Sequence, residues 1–286
     1  MNSARFIISV ILPVRNAADH LEQQLEALSR QTYQGPWELL IADNGSSDGT
    51  RAIAEAWRDR IANMAVVDAS RPGRGAACNI AAAAARGDVF VFCDGDDIVH
   101  PGWIAAYAAA AEGHDLMAGA LDHVAPDGSP IPWKADAMRR PTVALNFKAF
   151  AMGANMAVSR NAFEAVGGFA EELPVCEDID LSWRLQQSGF GLYFEPAAVV
   201  AKRGRRGLRD EWRQAALWGA GDVDLERRHR QSGLRRSSML ATIRYSLRRA
   251  ADNPRLAASL LSYRHRRFWV AGIARRWGRL RRSLSQ

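Results

Sequence analysis

The chain has 286 residues, enough for one large domain or one domain with a substantial appendage, and its 48% apolar content is that of a soluble protein with a real core. Its formal charge of +7 is unevenly divided: residues 202–286 carry 23 Lys and Arg against 6 Asp and Glu (+17), while the preceding body is acidic at −10. Three widely spaced cysteines (Cys78, Cys93, Cys176) exclude a disulfide framework and a zinc-type cluster. They fit a reducing cytoplasm.

The amino terminus lacks a basic region followed by a long apolar core, so no signal peptide is expected. No apolar run reaches the roughly 18 residues of a spanning helix. Phe6 to Leu12 is apolar and β-branched, which predicts a buried parallel strand stopped by Pro13, with Pro13-Val14-Arg15-Asn16 as a loop at its carboxyl end. Leu21, Leu25 and Leu28 form one stripe of a helix over 18–31. A second strand over 37–42 ends in the polar run Asp43 to Thr50. There Ser47 or Asp48 can cap a helix over 49–60, and Asp43 can accept the N–H of a nucleotide base.

A short strand over 64–67 precedes the basic, glycine-rich loop Arg71-Pro72-Gly73-Arg74-Gly75 and an alanine-rich helix over 76–85. Arginines and exposed amides at a helix start suit an anion, and a plain flexible loop has the same composition. Val89 to Cys93 then reads as a buried strand that ends in Asp94-Gly95-Asp96-Asp97. These three carboxylates are either a solvated acidic turn or a site for Mg²⁺ or Mn²⁺, hard cations that also take phosphate oxygens. The alternation of strands and helices up to this point predicts a doubly wound, mostly parallel α/β sheet, in which ligands bind past the carboxyl ends of the strands. The first strand–helix turn has no glycines, which excludes a dehydrogenase-type dinucleotide site.

Further along, Pro101-Gly102-Trp103 opens a helix over 101–112, 115–123 holds a strand, and 125–141 reads as a loop over the site. A strand at 153–158, a helix from Arg160 to Val166 and the turn Gly167-Gly168-Phe169 follow. The next helix starts with Glu177-Asp178, where the dipole favours carboxylates, and where a transfer to a hydroxyl would find its general base. A last strand covers 192–201, and 212–221 predicts a helix and turn near the acceptor site.

Ser9 to Asn16, Asp43 to Thr50, Asn79, Asp94-Gly95-Asp96-Asp97, Gly167-Gly168-Phe169 and Glu177 to Leu185, in this order and spacing, make residues 5–200 resemble glycosyltransferase family 2. The resemblance implies a GT-A fold and an inverting transfer of sugar from a nucleotide-diphosphate sugar to a glycan or lipid-linked acceptor, with Mn²⁺ or Mg²⁺. It implies a GT-A domain over 1–205 and a basic, mainly helical extension over 206–286. Position by position, it sets Pro13, Val14, Arg15 and Asn16 near the nucleotide and makes Asp43 the base-binding carboxylate. Asp96 becomes the direct metal ligand with Asp94 beside it near the ribose, and Asp178, next to Glu177, the catalytic base. Arg71, Arg74, Asn79, Gly95, Trp103 and Lys202 complete the candidate substrate contacts. Many family members carry a His after the last core strand; here the segment reads Ala201-Lys202-Arg203-Gly204, so Lys202 and Arg203 are the expected replacements. Asn44 replaces a frequent second aspartate, a change expected to matter little.

Beyond residue 207, Leu260, Tyr263, Val270, Ala274 and Trp277 recur at helical spacing among arginines. That pattern suits either an interfacial helix on anionic lipid, peripheral to the inner face of the plasma membrane, or a solvated basic face. No nucleic-acid module is present, and a nucleic-acid partner is not expected.

Overall fold

The structure is a computed structural model, and it describes residues 6–125, 139–204, 207–234 and 263–285, with side chains of the last segment from 270 onward. Most of the predicted loop over 125–141, and Leu260 in the tail, lie outside the described residues. The chain divides into two compact units, Met1–Gly204 and Arg205–Gln286.

The first unit is built on an eight-stranded sheet. Its strands are β1 (Ile8–Val14), β2 (Trp37–Asp43), β3 (Met64–Asp68), β4 (Val89–Cys93), β5 (Ile98–Val99), β6 (Leu116–Val124), β9 (Asn155–Ser159) and β10 (Leu192–Arg203). Their order across the sheet is β3-β2-β1-β4-β9-β6-β10-β5. Neighbours β3, β2, β1 and β4 are parallel, as are β6 and β10; β9 runs antiparallel to both β4 and β6. β7 (Thr142–Ala144) and β8 (Lys148–Phe150) form a separate hairpin.

The helices of this unit are α1 (Leu21–Ser29), α2 (Thr50–Ala56), α3 (Arg74–Ala84), α4 (Trp103–Ala110), α5 (Arg160–Ala165) and α6 (Glu177–Gln187). They cover both faces of the sheet. One face buries Val10, Leu12, Val91 and Leu25, and the other Ile11, Phe90, Phe92 and Leu181. That two-sided burial is why the strands read as continuous apolar runs.

Pro13 does not end β1. The strand continues to Val14, pairing Pro13 with Ala42 and Val14 with Asp43. On its other side the ladder to β4 stops at Ile11–Phe92, so the missing N–H of Pro13 costs no bond there.

Asn155, wholly buried at the start of β9, ties the sheet's middle together. Its amide donates to Ala120 O (2.7 Å) and Ala198 O (2.9 Å), and its Oδ1 accepts from Trp103 Nε1 (2.7 Å) and the Tyr107 hydroxyl (2.8 Å). Gly119 makes room for this knot, since a Cβ there would collide with the Asn155 amide and the Tyr107 hydroxyl.

The second unit contains α7 (Leu208–Arg228) and α8 (Tyr263–Leu284). The two helices cross at backbone contact: a Cβ on Gly219 would strike the Arg275 carbonyl, and one on Gly278 the Ala216 carbonyl. Arg275 pairs with Asp222 (2.7 Å), Arg279 with Glu226 (2.7 Å) and Arg282 with Asp224 (2.9 Å). These arginines of α8 therefore face α7, while Ile273, Trp277 and Leu284 are exposed.

Candidate active site

Three chain segments bring carboxylates together in the first unit. The end of β4 supplies Asp94, Asp96 and Asp97, whose carboxylate oxygens lie within 4.8 Å of one another. The start of α6 supplies Glu177 and Asp178. Cys176, the residue before that helix, takes a left-handed conformation (φ 63°), and Glu177 follows as the first helical residue. The cations come from the start of α3 and the end of β10.

Arg74 joins the two acidic groups. It opens α3 directly after Gly73, earlier than the sequence pattern places the helix. Its Nε donates to Asp94 Oδ1 (3.1 Å), Nη1 to Glu177 Oε1 (3.2 Å) and Nη2 to the Gly153 carbonyl (2.6 Å). Gly153 is bound from both ends, because its N–H donates to Asp178 Oδ2 at 2.8 Å. Asp178 Oδ1 accepts from the Ile179 N–H at 2.8 Å, so both carboxylate oxygens are held by backbone amides.

Lys202 sits on the other side of the cluster. Its Nζ lies 3.2 Å from Asp94 Oδ2 and 2.9 Å from Asp97 Oδ2. Arg203 donates its N–H to Asp97 Oδ1 (2.9 Å), its Nε to the Asp96 carbonyl (3.0 Å) and its Nη2 to Gln23 Oε1 (2.6 Å). From below, Gln24 of α1 donates to the Asp94 carbonyl (3.2 Å) and accepts the Val99 N–H (3.0 Å).

These contacts set the protonation of the site. Burial opposes ionisation of Asp94, but Arg74 and Lys202 outweigh it and hold the carboxyl at about 2. For Asp97, burial dominates over Lys202, and repulsion from Asp94 and Asp96 adds to it, so the carboxyl is pushed up to about 6. Burial and the neighbouring Asp178 push Glu177 up to about 7 against the pull of Arg74. Burial would lower Lys202, yet the three aspartates keep its ammonium above the usual lysine range.

Other predicted residues divide into two groups. Asp43, nearly buried at the end of β2, accepts the Ser46 N–H (3.0 Å) and lies 3.4 Å from Arg51. Asn16, at φ 50°, accepts the Ser47 N–H (2.8 Å) and donates its own N–H to Ser46 Oγ (3.1 Å), so the loops after β1 and β2 are laced together. Asp48 receives the Thr50 N–H (3.0 Å) and the Ala18 N–H (3.2 Å). Arg15 is exposed, Pro13 is half-buried in β1, and Arg71 pairs with Glu171 on the surface.

Four residues singled out in the sequence are engaged within the fold itself. Trp103 is wholly buried with its indole N–H on Asn155, so it is a core residue with no surface to offer a substrate. Val14 is buried, and Gly95 packs against it so closely that a Cβ would come within 2.8 Å of Val14 Cγ1. The side chain of Val14 is thus spent on packing. Asn79 donates to Phe169 O (2.9 Å) and Glu171 (3.0 Å) and accepts the Phe169 N–H (2.9 Å), which makes it a brace for the turn that precedes α6. Asn44 braces a loop: its amide donates to Ala69 O and Arg71 O (2.6 Å each) and it accepts the Gly73 N–H (3.3 Å), shaping the loop that delivers Arg74.

Gln24 and Gly153 are the residues sequence reasoning missed. Gln24 had a signal, as a polar residue on the buried Leu21–Leu25–Leu28 stripe. Gly153 acts through its backbone and had none.

The first unit is an α/β fold with an acidic cluster past the carboxyl end of β4, and comparison with known proteins identifies its family. The family model for glycosyl transferase family 2 matches residues 9–167, and that for glycosyl transferase family group 2 matches residues 89–274. The chain belongs to glycosyl transferase family 2 and is a glycosyltransferase. Glycosyltransferase AglE of Haloferax volcanii is 27% identical over 240 residues, 79% of either chain. The pre-mycofactocin glycosyltransferase of Mycobacterium tuberculosis is 26% identical over 238 residues, 78% of this chain and 48% of that one. Among solved structures, the mannosyltransferase PcManGT of Pyrobaculum calidifontis, in complex with GDP-Man and Mn²⁺, superposes with a TM-score of 0.71 at 20% identity, covering 98% of this chain and 87% of that one. S. aureus TarS 1-349 in complex with UDP-GlcNAc gives 0.55 at 21% identity, covering 75% and 66%. The fold is that of the GT-A glycosyltransferases.

Proposed function

We propose that the protein transfers a sugar from a nucleoside-diphosphate sugar to an acceptor hydroxyl on a glycan or lipid-linked glycan, with inversion at the anomeric carbon. The observation that carries this reading is the pair of carboxylate groups bridged by Arg74: an aspartate cluster suited to a diphosphate and its metal, and a separate Asp178 suited to a proton. Asp43 takes the base N–H, and Asn16 and Pro13 border the nucleotide. Asp178, its carboxylate oriented by the Gly153 and Ile179 amides, accepts the proton of the attacking hydroxyl. A single displacement on the face opposite the leaving diphosphate inverts configuration.

The donor set of Asp94, Asp96 and Asp97 is all anionic oxygen, which fits Mg²⁺ or Mn²⁺. Asp96, with Asp94, would hold the cation, which supplies stabilisation of the charge developing on the leaving diphosphate. PcManGT, similar in fold, carries GDP-Man and Mn²⁺, and TarS carries UDP-GlcNAc, which supports a sugar nucleotide as donor. A thermal-shift panel of GDP- and UDP-sugars with Mn²⁺ tests the reading, because a ligand of the folded state raises its stability. One donor should stabilise the protein in a metal-dependent way that Asp96→Ala abolishes. No stabilisation by any donor would overturn the donor-site reading, and unchanged metal dependence in the variant would remove Asp96 as a ligand.

The tail is read as a membrane contact. Among the described residues no helix is long and apolar enough to cross a membrane. α8 instead turns Ile273, Trp277 and Leu284 away from the arginines that pair with α7, in a segment rich in arginine. An aromatic and aliphatic stripe with basic flanks suits the interface of an anionic bilayer at the inner face of the plasma membrane. The protein should sediment with phosphatidylserine vesicles at low salt and much less after Ile273→Ser/Trp277→Ser; binding equal to that variant's would sink the claim.

A further inference from the structure

We infer that Lys202 is a built-in counter-cation for the aspartate cluster, one that a divalent cation must displace, so that metal and nucleoside diphosphate bind cooperatively rather than independently. The inference rests on the proposed metal–diphosphate reading of the cluster.

Asp94 has a cation on each carboxylate oxygen, Arg74 on Oδ1 at 3.1 Å and Lys202 on Oδ2 at 3.2 Å. Asp97 is almost wholly buried, and its two oxygens are taken by Lys202 Nζ at 2.9 Å and the Arg203 N–H at 2.9 Å. The Asp94 and Asp97 carboxylates, two of the three that would draw a metal, are thus already engaged by groups of the chain itself. A divalent cation at Asp94 and Asp96 would sit beside an ammonium that shares the same carboxylate, and like charges that close repel.

The two basic groups differ in freedom. Arg74 is tied at three points, to Asp94, Glu177 and the Gly153 carbonyl. Lys202 carries a compact charge on a flexible four-carbon stem and is held only by the two aspartates, Asp94 and Asp97. A diphosphate arriving with the metal offers the ammonium new anionic oxygens, so Lys202 can leave Asp94 for the ligand as the metal takes its place. Each ligand then removes an obstacle to the other, and the coupling is reciprocal by linkage. This gives Lys202 a role distinct from that of a histidine at the same place: a neutral imidazole can ligate the metal, whereas an ammonium can only compete with it.

The test measures Mn²⁺ binding to the full chain by calorimetry, alone and with GDP or UDP, in wild type, in Lys202→Met, and in Lys202→Met/Asp97→Asn, which removes the buried pair together. Wild type should bind Mn²⁺ weakly alone and at least about tenfold more tightly with the nucleotide, within the ordinary range of ligand coupling. Both variants should bind Mn²⁺ alone more tightly than wild type and lose most of the gain from nucleotide. Mn²⁺ affinity unchanged or weakened in both variants, with the nucleotide gain intact, would overturn the role of Lys202 alone. Absence of Mn²⁺ binding in every protein with either nucleotide would overturn the metal–diphosphate reading and this inference with it.

Discussion

The N–H of Gly153 donates to Asp178 Oδ2 at 2.8 Å, while the carbonyl of the same glycine accepts Arg74 Nη2 at 2.6 Å. One peptide segment between β8 and β9 thereby fixes both the proposed base and the residue that reaches the aspartate cluster. Asp178→Asn preserves the size of the side chain and an acceptor oxygen for Gly153 but cannot take a proton. Sugar transfer should fall by about 10²–10⁴-fold, the usual contribution of a general base, with donor affinity nearly unchanged. Steady-state kinetics with a separate donor titration checks this; transfer at the wild-type rate would remove Asp178 from the mechanism.

Arg74→Met leaves Asp94 and the buried Glu177 without their shared cation. Breaking a buried ion pair by removing one partner costs about 3–5 kcal/mol, and the low end applies because Arg74 keeps a quarter of its side chain exposed. Urea unfolding should show that loss as a lower midpoint. Replacing Glu177 by Gln in the same background should recover part of it, since a neutral side chain needs no counter-charge there.

Glu38 gives the molecule an acid-sensitive joint away from the site. Burial would raise its carboxyl, but bonds from the Arg86 N–H, the Ser9 hydroxyl (2.7 Å) and the Arg86 guanidinium (2.9 Å) outweigh it and hold the group below the usual 4.5. A depressed folded-state value means stability that is present above the unfolded value and lost as pH falls through the folded one. Glu38→Gln should therefore be less stable than wild type at pH 7 by about 1–2 kcal/mol, within the range of a charged hydrogen bond. The gap should close as both proteins are titrated below the glutamate range. Thermal unfolding across pH 3–7 (roughly the carboxylate window) checks this, and a gap that widens in acid would contradict it.

Asn155→Ala removes four buried hydrogen bonds at once and strands the indole of Trp103, the hydroxyl of Tyr107 and two carbonyls. With each orphaned group costing about 1–3 kcal/mol, the loss should reach at least about 4 kcal/mol. Denaturant unfolding measures it, and a loss under about 1 kcal/mol would mean that water replaces the side chain.

Much of the architecture was legible because two-sided burial writes itself into the chain as unbroken apolar runs: β2 and β4 fall where Trp37–Ala42 and Val89–Cys93 place them. The insertion of β9 antiparallel between β4 and β6 was not legible, since a buried strand looks the same in either direction. At the site, Asp94, Asp96 and Asp178 announce themselves as acidic residues at strand and helix ends. The bridge from Arg74 to Glu177 spans 103 residues of sequence, and nothing local in the glycine-rich loop encodes it. Trp103, placed among the candidate substrate contacts, is wholly buried, and the Asn155 that receives its N–H lies 52 residues on, beyond the reach of local sequence.

The knot at Asn155 also bears on how this sheet is assembled. β9 must thread between strands already apolar on both faces, where hydrophobicity alone would tolerate a slip of one residue. A slip would carry the amide away from the carbonyls of Ala120 and Ala198 and reverse which side of the strand it occupies. A single polar side chain therefore acts as an indexing pin: only the native register satisfies its amide, and it sets the alignment of the strand that begins two residues after Gly153.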